Sequence, residues 1–378
     1  GSPTGDPWPD SAGYRLIVTG TAGVSSSLHS CVMASYDGPE FLMTSSTVYP
    51  ISSMGGPLAK RVPRSGRWGT VFAVFRRSCY LESGGGQVFC LADQGLGEGP
   101  LTLAVKIPSK TTFLSLGINE GCHLDTDGVD LVVGHELVLT TAETVIWEPD
   151  PVGQTAPQDE ILRRLDVLID QVDPLIPSDG LAEIIPHTAG IANAGSSGIV
   201  NMNAVAELAM PRLSRLCGGL TRSASEAIDQ GVAGLVGLGP GLTPSGDDLL
   251  GGMLVALRAM QNTASLFSVD ALAGCVTKHA AAETTRISAE MLEQSARGYG
   301  SAAQHRLLRC LLGVDDSSDT VNAALDLIRT GHTSGWDALA GILLGIYCGL
   351  RIGRYQASPD PAAQSSIAFS RRMAGTPA

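Results

Sequence analysis

Glu148-Pro149-Asp150-Pro151, running on to Ala156-Pro157, decides the fold, because the hydrophobic period differs on its two sides. Proline neither donates to a sheet ladder nor continues a helix, and a polar, proline-bearing run of this kind marks a domain boundary. Before it, short runs of alternating or β-branched residues predict strands at Tyr14–Thr19, Ser27–Ala34, Phe41–Ser45, Gly69–Arg76, Gln87–Leu91, Leu101–Val105, Val129–Val133, Glu136–Thr140 and Thr144–Trp147. Gly84-Gly85-Gly86 and Gly95–Pro100 supply turns between them, and no helix-length amphipathic run occurs. After it, Ile161, Leu162, Leu165, Leu168 and Val172 recur at steps of three and four, one apolar helix face. Further helices are expected at 202–217, 224–235, 247–260, 268–281, 287–296, 302–312, 317–330 and 335–350. The fold class is therefore α+β, a mostly-β N-terminal domain followed by a larger all-helical domain. Its expected divisions are an expression scar and disordered start over 1–12, the β domain over 13–150, a linker over 151–158, the helical domain over 159–355 and a flexible tail over 356–378.

Composition narrows the function. The 378 residues carry 37 acidic and 25 basic side chains, a formal charge of −12. An acidic chain without a dense Lys/Arg block is not expected to bind nucleic acid, whose phosphates reward clustered cations. The longest apolar runs, such as Ala338–Leu350, fall short of the ~20 residues of a membrane-spanning helix, so no membrane partner is expected. Eight scattered cysteines, without a C-x-x-C pair, fit neither a zinc site nor a disulfide framework. No leader pattern opens the sequence, and a cytoplasmic location is expected.

One loop carries most of the chemical information. Gly237-Leu238-Gly239-Pro240-Gly241-Leu242-Thr243-Pro244-Ser245-Gly246-Asp247-Asp248 precedes an apolar helix. Glycines let backbone amides approach a ligand, and a helix N-terminus favours anions through free N–H groups and its dipole. Ser245 is the expected cap of that helix. The loop lacks the lysine of a phosphate-binding P-loop, and a helix rather than a strand precedes it, unlike a dinucleotide fingerprint.

The pattern S-G-x-D-x-L-x-G-x-L returns without gaps, Ser245–Leu254 aligning on Ser334–Leu343. Two readings stand: two buried helices with matching capping-box-like starts, or two helix N-termini converging on one anionic ligand. Asp247 and Asp248 invite a metal, with Mg²⁺ as the candidate, although adjacent helical residues point about 100° apart and no cofactor is expected. Thr284-Thr285-Arg286-Ile287-Ser288 opens another helix, where Arg286 has the fork to clamp a carboxylate or phosphate. Arg222 is a weaker version of the same idea. His332 precedes Thr333-Ser334 and is placed to act as acid, base or oxyanion donor. His29 lies on an expected strand, and the other histidines show no metal spacing.

The twelve-residue loop and His332-Thr333-Ser334-Gly335-Trp336-Asp337 resemble the signatures of the AllH-like family, the third subunit of bacterial oxamate carbamoyltransferase. Leu28–Val32, Gly56-Pro57, Ile146–Pro149 and Thr284–Ser288 support the resemblance, which spans roughly 25–350. It implies carbamoyl transfer in purine or allantoin nitrogen metabolism, between carbamoyl phosphate and a small 2-oxo acid amide such as oxamate, together with partner subunits. Joined to the residue reading, it makes Gly239, Gly241, Thr243, Ser245, Gly246, Thr285, Ser334 and Gly335 the substrate and phosphate binders. His332, Asp248, Asp337 and Arg286 become the catalytic candidates. The alternatives are a non-catalytic small-anion-binding or assembly subunit, and a metal-dependent amide or phosphate hydrolase using Asp247 and Asp248.

Overall fold

A computed structural model describes residues 47–134, 137–193, 202–260 and 266–357. The strands expected at Tyr14–Thr19, Ser27–Ala34 and Phe41–Ser45, with His29, lie outside the described residues, as does most of the expected tail. Contacts divide the chain into two compact units between Glu148 and Pro149.

Among its described residues the first unit is a curled sheet of nine strands: β1 (Thr47–Gly55), β2 (Gly66–Val74), β3 (Ser78–Ser83), β4 (Val88–Asp93), β5 (Thr102–Val105), β6 (His123–Thr126), β7 (Asp130–Val133), β8 (Leu137–Thr140) and β9 (Val145–Trp147). Their order is β5-β4-β3-β2-β6-β7-β8-β1-β9, and a further pairing of β5 with β1 closes it into a barrel-like sheet. Alternation sets the inside, since Leu124, Leu131, Val133, Leu137 and Leu139 are buried while their neighbours along the strands are more open. Trp68 stacks on Phe89 at 4.7 Å in this core. The strand at Thr47–Gly55 escapes the alternation rule for a physical reason. It pairs with β8 up to Pro50 and with β5 from Ile51, so proline sits where the strand changes partner. Helix α1 (Gly56–Ala59) is a single turn.

The second unit is helical: α2 (Gln158–Val172), α3 (Thr188–Ala192), α4 (Ala204–Arg222), α5 (Ser225–Val232), α6 (Ser245–Ala259), α7 (Leu266–Glu283), α8 (Arg286–Ala296), α9 (Ala302–Leu311), α10 (Thr320–Ile328) and α11 (Ser334–Ala357). Ile161, Leu165, Leu168 and Val172 face the core from α2, the stripe read in the sequence. Helix α6 is buried nearly all round, as a central helix must be. Helix α11 is its partner. Contrary to the run-length expectation, Ser334–Gly353 is long and apolar enough to cross a bilayer, but 83 % of its most apolar window is buried inside the protein, as in a core helix.

Helices α6 and α11 lie parallel and touch backbone to backbone. A Cβ on Gly252 would lie 2.3 Å from the Ala338 carbonyl oxygen, and one on Gly341 would lie 2.0 Å from that of Leu249. In the repeat, Gly252 corresponds to Gly341 and Leu249 to Ala338. The two contacts are therefore the same contact related by a local two-fold, and the glycines of the shared pattern build it.

Candidate functional site

The parallel packing sets the two helix N-termini side by side. Thr243 Oγ1, in the loop before α6, lies 3.0 Å from Ser334 Oγ at the start of α11. The loop reaches this point through three left-handed glycines, Gly237, Gly239 and Gly241, at φ 71°, 105° and 107°.

The helix starts differ from the expected caps. Pro244 is the N-cap of α6 and Ser245 its first helical residue, so no side-chain cap bond forms. The amides of Asp247 and Asp248 donate to the Pro244 carbonyl oxygen instead. The first turns are tied down in matching ways: the Gly246 amide donates to Leu238 O at 2.9 Å and the Gly335 amide to Thr330 O at 3.0 Å. Gly246 is thereby committed inside the loop. The amides of Gly239, Gly241, Leu242, Thr243 and Ser245 have no protein acceptor among the described residues.

Asp247 is a latch. Its Oδ1 accepts the Gly237 amide at 2.8 Å, and its Oδ2 accepts the Ser288 hydroxyl at 2.6 Å and the Thr284 hydroxyl. Thr285 caps α8 and also donates its hydroxyl to the Leu242 carbonyl oxygen at 2.5 Å. The Thr-Thr-Arg-Ile-Ser motif therefore grips the glycine loop from α8. Thr284, just before α8, and Ser288, on its first turn, are the contributors that sequence reasoning left without a role.

Asp248 and Asp337 occupy the same position of the repeat, and each faces the other helix. Burial is the chief force pushing the Asp248 carboxyl well above the usual carboxylate range; Asp337 and Asp247 add to the rise, while hydrogen bonding from Ser334 and Thr243 opposes it. Burial raises Asp337 too, against the Leu181 amide and the hydroxyls of Ser245 and Thr333. The Leu181 amide donates to Asp337 Oδ1 at 2.6 Å. Asp248 thus meets the serine of α11, and Asp337 meets the serine of α6. The Oδ2 atoms of both acids are buried without a hydrogen-bond partner. His332 and Arg286 are exposed, one before α11 and one on the first turn of α8. Among the described residues, no group of three or more His, Cys, Asp or Glu side chains has metal-holding geometry.

These features define a class: an α+β protein whose helical unit gathers polar groups at two paired helix N-termini, one fed by a glycine-rich loop. Residues 235–346, which contain the loop, the latch and both acids, match the family of oxamate carbamoyltransferase subunit AllH. No solved structure matches the chain.

Proposed function

We propose that the chain is a carbamoyltransferase subunit that acts on carbamoyl phosphate and a small 2-oxo acid amide such as oxamate, in company with partner subunits. The observation that carries this reading is the pairing of two parallel helix N-termini beneath a loop with acceptor-free amides, within the segment that matches a carbamoyltransferase subunit. Two aligned dipoles and free N–H groups favour an anion without any Lys/Arg cluster, which suits a chain of charge −12. In this reading Gly239, Gly241, Leu242, Thr243 and Ser245 hold the phosphate, with Ser334 and Gly335 completing the floor. Arg286 takes a carboxylate or phosphate oxygen, and His332 polarises the carbonyl as it gains charge. Asp248 and Asp337 orient the amide. Asp247 is engaged by three donors, so a metal bridging Asp247 and Asp248 finds no support here.

Thermal melting of the full chain, alone and with candidate partner subunits, tests the reading. A ligand at about 100 times its Kd adds about 2.7 kcal/mol of stability, so carbamoyl phosphate and oxamate should both raise the Tm. Failure of both to do so in every mixture would remove the proposal. A Tm rise with no turnover in any mixture would leave an anion-binding assembly subunit, a reading favoured by the exposure of Leu242 (44 %) on the loop.

A further inference from the structure

We infer that the Asp248–Asp337 pair is the specificity-determining element of this site, and that it selects a small anion bearing an uncharged N–H donor, a primary carboxamide, over isosteres that lack one. The inference rests on the proposed substrate reading and deepens it to the level of atoms.

Asp248 Oδ2 and Asp337 Oδ2 are buried acceptors without donors, and natural proteins rarely leave such atoms unpaired without a reason. Both lie at the start of a helix, on the side facing the other helix, beside the hydroxyls of Ser334 and Ser245. The nearby loop amides have the complementary lack: Gly239, Gly241, Leu242, Thr243 and Ser245 have donors without acceptors. A ligand that satisfies both sets needs an anionic or carbonyl end for the amides and an N–H end for the acids.

An ammonium group would supply the N–H donors but suffers at the positive ends of two aligned helices. A carboxamide supplies them without charge. Asp337 Oδ1 is already held by the Leu181 amide, so the open Oδ2 is the atom left to receive such an N–H. A site built to bond a substrate N–H rejects the analogue without it, because its own polar groups are then stranded.

Oxamate and pyruvate share a shape and a carboxylate, and differ in carrying NH₂ or CH₃. Titration calorimetry of the full chain, with any partner subunit needed for binding, should give oxamate a Kd at least about tenfold below that of pyruvate. Glycine, which pairs a carboxylate with an ammonium, should bind more weakly than oxamate. In Asp248→Leu, with its fold checked by circular dichroism, the preference for oxamate over pyruvate should shrink to about twofold. Equal wild-type affinities for oxamate and pyruvate would overturn the inference without recourse to any variant, and would spare the broader reading if carbamoyl phosphate still bound. Tighter binding of glycine than of oxamate would also overturn it, in favour of a cation-accepting pair. If none of these ligands nor carbamoyl phosphate bound, the reading beneath it would fail and carry the inference with it.

Discussion

The starts of α6 and α11 share Ser, Gly and Asp at matching positions, yet between Gly and Asp one has Asp247 and the other Trp336. The shared residues do the same work twice. Gly246 and Gly335 leave no room for a side chain against a preceding carbonyl: a Cβ on either would lie 2.0 and 2.1 Å from Leu235 O and Leu327 O. Asp248 and Asp337 cross to the partner helix. The residue that differs specialises each start. Asp247 ties a glycine loop to α8, whereas Trp336 is buried in apolar packing. The repeat thus supplies a symmetric frame, and the departure from it turns one side into a shaped loop.

The frame itself should give the largest effect. Gly341→Ala and Gly252→Ala each set a methyl against backbone, which cannot swing aside as a side chain can. A loss of about 3 kcal/mol or more is expected for each in urea unfolding, the upper end of overpacking costs. Gly274→Ala on α7 meets nothing within 4 Å and is the control; it should stabilise by up to about 1 kcal/mol. A mild effect at Gly341 with a severe one at Gly252 would break the two-fold relation. Next in size, Asp247→Ala strands the Gly237 amide and the Thr284 and Ser288 hydroxyls, and about 2–4 kcal/mol is expected. Amide exchange should show Gly237 deprotected and Gly335 unchanged. Trp336→Leu should also destabilise, by leaving a cavity, but Gly237 should stay protected. Equal loosening of both helix starts in Asp247→Ala would show that the latch is not local.

The helices of the second unit were legible because a 3.6-residue apolar period reports burial of one face, and α2 has little else to say. The repeat was legible too, as letters. What it builds was not. Ser245 and Ser334 read as local caps, since serine before a helix ordinarily accepts from its own first turn. They stand instead inside the helix and beside the acid of the other helix, a relation set by packing between helices far apart in the sequence. The Asp247 latch was hidden for the same reason, because its hydroxyl donors, Thr284 and Ser288, come from the start of α8 about forty positions on. In the first unit, β1 was obscured by Pro50 and its change of partner, and β6, with its His-Leu-Asp-Thr sequence, offers a single strongly apolar residue to the rule.

The smallest expected effect asks whether the two acids are equivalent. For each, burial raises the folded pKa above the unfolded value of about 3.9. Such a group contributes stability that is fully present below that unfolded value and is lost as pH rises through the folded one. Asp248→Asn should therefore gain on wild type in urea midpoints as pH rises from 4 to 8. Asp337→Asn should follow the same course, since an amide oxygen can still accept the Leu181 N–H. His305 supplies the opposite sign and so an internal standard: it is buried, accepts the Gly300 amide at 2.9 Å, and burial lowers its pKa to about 4. Its contribution is complete above about 6.5 and fades as pH falls toward 4, in both variants as in wild type. Subtracting wild type from each variant cancels it. A difference that climbs for Asp248→Asn and stays flat for Asp337→Asn would mean that one acid holds the proton while the other is ionised, so that the two-fold frame ends at the glycines. Two flat differences would mean that both acids are charged in the folded protein, held there by the hydroxyls that cross between the helices.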